Sequence, residues 1–179
     1  PRPAPVPLPA SATPAVLEPP PPAAVATPAE PEPVLVEWAV DVLPGLGWSE
    51  KTGPRTVRRL SFGVLGTYSW GLEGLELAPI FALKTGPVRG LQAAGGAALA
   101  AGPVDGMQTA GAVVLTAGYV HGLQTAPVTI AGRLDDGFQG GIANLLAAQS
   151  RGVQAGVANL AASGLDGAQA GVANVAKGK

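Results

Sequence analysis

The chain has 179 residues, 13% of them charged, a formal net charge of −1 and no cysteine. That length holds one domain with a modest core, or one domain plus a tail. The charge offers no basic stripe for phosphates, which excludes a nucleic-acid binder. The missing cysteines exclude a disulfide framework and thiolate metal sites, although they do not fix the compartment. The 26 glycines and 19 prolines are segregated: thirteen prolines precede residue 34, and 23 glycines follow residue 60. Two different materials are therefore joined in one chain. No apolar run reaches the ~20 residues of a spanning helix. No signal peptide is visible behind Pro1, which fits a processed chain or a fragment.

Residues 1–33 read as a Pro/Ala-rich disordered tether. Each proline lacks an N–H and constrains the residue before it, so neither helix nor central strand can form. Extended polyproline-type backbone at ~3.1 Å per residue gives a reach on the order of 100 Å. A spacer is the functional reading, an inert tail the bland one, and a Pro-x-x-Pro ligand a third.

Residues 34–73 read as an aromatic-rich, strand-forming N-terminal cap. Val36, Trp38, Val40 and Val42 alternate with Glu37, Ala39 and Asp41, the period of a half-buried strand. Pro44 to Gly47 breaks it, and Ser49 to Pro54 is a polar loop. Leu60, Phe62 and Val64 then alternate with Ser61, Gly63 and Leu65. Six of the eight aromatics fall between Trp38 and Phe81. An aromatic cover over the first rung of a strand stack accounts for them; an aromatic binding patch is the rival.

Residues 74–179 repeat. The triplet Gly-apolar-Gln opens at Gly90, Gly106, Gly122, Gly137, Gly152 and Gly167, with Gly74-Leu75-Glu76 as a variant. The intervals are 16 residues as far as Gly122 and 15 thereafter. A steady short period means a repeat architecture. Alternation within each repeat, as in Val153, Ala155 and Val157 against Gln154, Gly156 and Ala158, argues for strand. Gly inside every repeat disfavours helix by up to ~1 kcal/mol each. The predicted fold is all-β: a parallel β-solenoid of about seven or eight 15–16-residue coils, roughly 35 Å long at ~4.8 Å per coil. Pro87 and Pro103 fit corners. The step from 16 to 15 residues predicts one residue lost from a corner.

The candidate site residues are structural. Gln92, Gln108, Gln124, Gln139, Gln154 and Gln169, with Glu76 at their head, form one column. Each amide can donate to one neighbour and accept from the other, and such ladders stabilise stacked strands. They also fix register, because a one-residue slip would carry Gln into the core. Asn144, Asn159 and Asn174 form a second column, expected to cap a corner; ligand binding by either column is the functional alternative. His121 is the only histidine, so no triad or histidine metal cluster can assemble. It shares the pre-glycine corner with Arg89, Asp105, Asp136, Arg151 and Asp166. Asp135-Asp136 supplies too few oxygens for a hard cation, and Arg55, Arg58 and Arg59 read as a loop facing water. No catalytic, cofactor-binding or metal constellation is present.

Leu60 to Ser69, Gly74-Leu75-Glu76-Leu77 and the repeated Gly-Leu-Gln-x-Ala-Gly and Gly-Val-Gln-x-Gly-Val-x-Asn together resemble the bacterial surface-repeat proteins first named from Leptospira, over about residues 55–179. That resemblance implies an exported or outer-surface protein of a Gram-negative bacterium, with no catalytic residues to carry over. Ala98 and Val114 stand where that pattern has Asn. The function expected is a non-enzymatic structural or adhesive surface element on a Pro-rich stalk, with no cofactor. Its expected partners are a protein or cell-envelope surface, or further copies end to end, and no nucleic acid. The alternatives are an outer-membrane β-barrel, a self-assembling fibre subunit, and a scaffold whose tether recruits a partner.

Overall fold

A computed structural model describes residues 30–43, 46–49 and 55–177. Most of the predicted tether (residues 1–29), Pro44-Gly45 of the first break, residues 50–54 of the polar loop, and Lys179 lie outside the described residues. Fourteen strands and no helix are present among the described residues. They are β1 (Val34–Leu43), β2 (Leu46–Ser49), β3 (Thr56–Gly63), β4 (Gly66–Ser69), β5 (Gly71–Ala78), β6 (Phe81–Lys84) and β7 (Val88–Ala94). There follow β8 (Ala97–Ala100), β9 (Val104–Ala110), β10 (Val113–Thr125), β11 (Val128–Leu146), β12 (Ser150–Ala161), β13 (Leu165–Ala170) and β14 (Ala173–Ala176).

The chain is a parallel β-solenoid of about eight turns. Every pairing is parallel except the β1–β2 hairpin. The first wall runs β1, β3, β5, β7, β9 and then through parts of β10, β11 and β12 to β13. The second wall is narrower, with four-residue strands β4, β6, β8 and β14 paired through segments of β10 and β12. β1, β3 and β4 thus continue the same two walls as the repeats.

Register follows the sequence period. Gly74, Gly90, Gly106 and Gly122 stack at 16-residue offsets, and Gly137, Gly152 and Gly167 at 15. The change is not one lost residue. The offset is 16 at Thr109–Thr125, 15 at Val113–Val128 and 14 at Val120–Leu134. It returns to 15 at Leu123–Phe138, after Asp136 bulges out with φ 55°. Two corners each lose a residue and one regains it. At the other coils the sharp turn into the first wall is made by glycine. Gly122, for example, has φ 130°, and a Cβ there would lie 2.1 Å from the Gly106 carbonyl oxygen. In the fifth repeat Asp136 takes the left-handed turn, and Gly137 is free of it.

The interior corrects the predicted faces. Ala39, Asp41 and Ser61 point inward and are buried, while Trp38, Val42, Leu60, Phe62 and Val64 are exposed. Of the predicted apolar face of β1 only Val36 is buried and Val40 half-buried. The Gln column, expected away from the core, lies inside it: Gln92, Gln108, Gln124, Gln139 and Gln154 are each 0% exposed. The reason is the cross-section. The space between the walls beside the amides takes small residues, Ala78, Ala94, Ala110 and Ala126 on one side and a Leu72–Val88–Val104–Val120–Leu134 column on the other. A stacked amide finds its partners in the coils above and below, so its burial carries no unpaired polar group. The aliphatic residues that alternate with Gln are thereby turned outward.

Candidate functional site

The feature that dominates the interior is the amide ladder. Gln92 Nε2 donates to Glu76 Oε2 at 3.0 Å, and Gln108 Nε2 to Gln92 Oε1 at 2.6 Å. Gln124 continues to Gln108 at 3.0 Å, Gln139 to Gln124 at 2.9 Å, Gln154 to Gln139 at 2.9 Å and Gln169 to Gln154 at 2.7 Å. All six donate toward the N-terminal end. A carboxylate accepts and does not donate, so Glu76 at the head fixes the direction of every amide behind it. Aligned donors polarise one another.

The head of the ladder is charged and dry. Lys84 Nζ donates to Glu76 Oε1, and both side chains are fully buried. Burial pushes the Lys84 ammonium below its ordinary pKa, and the Glu76 carboxylate pushes it back up. Eight residues separate the two, the same separation as Gln108 and Thr116 two coils later. There Thr116 Oγ1 donates to Gln108 Oε1 at 2.6 Å and accepts from Gln124 Nε2 at 2.8 Å. The ion pair is thus the charged version of a contact the repeats make between neutral groups. One coil earlier, Arg58 Nη1 donates to Asp41 Oδ2 at 2.5 Å and Nη2 to Asp41 Oδ1 at 3.2 Å, again buried.

The Asn column stacks and also bonds the backbone where the chain turns between the walls: Asn144 Nδ2 donates to the Ala155 carbonyl oxygen at 3.0 Å, Asn159 Nδ2 to that of Ala170 at 2.9 Å and Asn174 Nδ2 to that of Gly171 at 3.1 Å. Asn144, Asn159 and Asn174 stack on the second wall, the first two buried. Asn144 Nδ2 donates to Asn159 Oδ1 and Asn159 Nδ2 to Asn174 Oδ1, both at 2.7 Å. This chain of donors points toward the C-terminal end, opposite to the Gln ladder. Thr129 begins it, donating from Oγ1 to Asn144 Oδ1 at 2.5 Å. Above Thr129 stand Val114 and Ala98, so the column turns apolar where Asn is missing.

Outside, one corner collects the charges. Arg89 pairs with Asp105 in register and Asp105 with His121; Asp135 pairs with Arg151 and Arg151 with Asp166. Arg89 Nη1 donates to Glu73 Oε1 at 3.3 Å, and Arg151 grips Asp136 through Nε and Nη2. The Arg151 hydrogen bonds hold the Asp136 carboxyl below its ordinary pKa. His121 is an exposed corner residue whose Nδ1 lies 2.8 Å from the Asp135 carbonyl oxygen. The basic cluster is not a loop facing water: Arg58 is buried, Arg59 Nη1 donates to Glu37 Oε1 at 2.9 Å, and Arg55 lies 5.1 Å from the centre of the Trp70 ring.

Chemically this interior holds and orders; it does not present a reactive group to solvent. The buried ionisable side chains are paired with one another. Among the described residues, no group of three His, Cys, Asp or Glu side chains is placed to hold a metal ion. A shallow groove of about 410 Å³ on the second wall is lined by Val128, Ile130, Leu145, Leu160 and Val175, with the ladder residues Asn144 and Asn159 at its floor. No family model, curated protein or solved structure matches the chain.

Sequence reasoning named the ladder residues but not Lys84, Thr116 or Thr129, which bond to them, nor the buried Asp41–Arg58 pair. Two of these had a signal. Thr129 lies 15 residues before Asn144, and Lys84 stands where Ala100 and Thr116 follow in the next coils.

Proposed function

We propose that the protein is a non-enzymatic structural or adhesive element of a bacterial outer surface, held out on its Pro-rich stalk. It is a repeat protein with stacked amide ladders. The observation that carries the proposal is the use of the interior. Six consecutive coils devote their central inward position to one another through Gln, rather than to a cavity with convergent polar groups. A rod built this way resists local opening, because each coil is hydrogen-bonded above and below through side chain as well as backbone. The surface location rests on the motif resemblance alone.

The parallel pairing weighs against the outer-membrane barrel, in which neighbouring strands run antiparallel. The location is tested by protease treatment and antibody labelling of intact cells that express the full chain. Surface display predicts cleavage within the Pro-rich segment and labelling without permeabilisation. Labelling only after permeabilisation refutes it. Turnover in a hydrolase and transferase panel, abolished by a single point change, would overturn the non-enzymatic reading.

A further inference from the structure

Among the described residues, ionisable side chains are buried at one end of the rod alone. Asp41, Arg58, Glu76 and Lys84 all lie between β1 and β6 and are buried. Beyond Lys84 every buried polar side chain is a neutral Gln, Thr, Asn or Ser. The four charges form two pairs in neighbouring coils. Arg58 Nη1 reaches Asp41 Oδ2 at 2.5 Å and Ser61 Oγ at 3.3 Å, and the Tyr68 backbone N–H donates to Asp41 Oδ2 at 3.3 Å. Lys84 Nζ donates to Glu76 Oε1, and Gln92 Nε2 to Glu76 Oε2 at 3.0 Å. The pairs sense each other: burial lowers the Lys84 pKa, Glu76 raises it, and Arg58 and Asp41 act on it in opposite directions. The other ionisable groups of the strands packed around them face solvent. Glu37 bonds Arg59, Glu73 bonds Arg89, and Tyr68 is exposed; β2 and β8 carry none. Arg55, in the turn before β3, lies over the Trp70 ring.

We infer that β1 to β6 form an acid-operated joint, which opens when the Asp41 and Glu76 carboxylates take up protons while the rod from β7 onward stays wound. Each pair needs its carboxylate ionised. A proton on Asp41 or Glu76 removes the counter-charge and leaves a guanidinium or ammonium buried alone, an arrangement a folded chain tolerates poorly. An opened segment takes up the same proton in water, so opening gains as pH falls. Coils of a solenoid are coupled only to their neighbours, so one end opens without the rest. The rod beyond β6 has no such trigger. Its ladder is held by neutral amides, and its exposed ion pairs, such as Arg151 with Asp136, contribute little to stability. Opening adds the chain of β1 to β6 to the Pro-rich segment before it and leaves β7, with Gln92, as the first rung. This inference stands on the buried pairs and does not depend on surface display.

Acid titration of the full chain with two probes tests it. All three tryptophans, Trp38, Trp48 and Trp70, belong to this end, and Trp70 is half-buried with its ring against Gly86. Tryptophan emission therefore reports the joint. Most strand residues belong to β7–β14, so far-UV circular dichroism reports the rod. Between about pH 5 and pH 2, where carboxylates take up protons, emission is expected to shift to the red while most of the strand signal persists, and to return at pH 7. The double variant Glu76→Gln with Lys84→Thr, which makes that contact neutral, is expected to move the emission change to lower pH. Asp136→Asn, at the exposed pair with Arg151, leaves it in place. Should the double variant fail to fold, the wild-type comparison of the two probes still decides. Coincident loss of both signals, an emission change that does not reverse, or none down to about pH 2 each overturns the inference. So does an emission change that the folded double variant leaves at the wild-type pH, or that Asp136→Asn moves as far.

Discussion

Replacing Gln124 with leucine tests the ladder at its middle. The side chain is fully buried, and leucine is close to it in volume. Three hydrogen bonds go: Gln124 Nε2 to Gln108 Oε1 (3.0 Å), Gln124 Nε2 to Thr116 Oγ1 (2.8 Å) and Gln139 Nε2 to Gln124 Oε1 (2.9 Å). At a net ~1 kcal/mol each their loss costs about 3 kcal/mol. Gln139 Nε2 keeps only a 3.5 Å approach to the Leu145 carbonyl. A donor so poorly satisfied adds ~1–3 kcal/mol, and burying leucine returns ~1–2 kcal/mol. The sum is a destabilisation of roughly 2–5 kcal/mol. Urea unfolding followed by far-UV circular dichroism measures it through the midpoint, with the slope unchanged. Gln149→Leu, at an exposed corner position, is the control and should shift little. A loss below ~0.5 kcal/mol, or a gain, would refute the claim that the ladder is a stabilising unit.

Three further outcomes follow from the same geometry. Glu76→Gln leaves the Lys84 ammonium buried and unpaired and should cost ~3–5 kcal/mol; Glu76→Gln with Lys84→Thr rebuilds the Gln108–Thr116 type of contact and should recover most of it, read by urea midpoints. Because burial lowers the Lys84 pKa, the unfolded chain binds a proton that the folded chain lacks between that lowered value and about 10.5, so unfolding free energy should rise with pH across that window; a flat profile there contradicts the assigned burial. Gly122→Ala forces a Cβ to 2.1 Å from a backbone carbonyl oxygen at a φ of 130°, and should cost several kcal/mol or abolish folding, whereas Gly137→Ala, outside the left-handed region, should be milder in the same thermal-melt comparison.

The recurrence of Gly-apolar-Gln made the coil length and the stacked columns legible, since parallel register copies sequence offset into space. The inward face was not legible by the same route. Leu-Gln-x-Ala alternates equally well with Leu inside or Gln inside, and the usual preference for buried leucine selects the wrong one. What decides is the thin cross-section, visible only as the small residue two places after each Gln: Ala78, Ala94, Ala110 and Ala126. Those alanines and the glutamines share a face, and a face that small on one side fits the narrow interior. The Asn column was placed at a corner because asparagine favours turns; its members lie in strands of the second wall, where they bond one another and also the backbone carbonyls at the turn before that wall. Lys84 went unread as a partner of Glu76 because their contact crosses between walls, eight residues around the coil.

Side-chain amide hydrogen exchange, followed by NMR on glutamine-labelled protein, tests most directly whether the amides stack inside the rod. The account predicts slow exchange for the NH₂ groups of Gln92, Gln108, Gln124, Gln139 and Gln154, with Gln149 exchanging at the rate of an exposed amide in the same sample. Equal, fast exchange for all of them would contradict it.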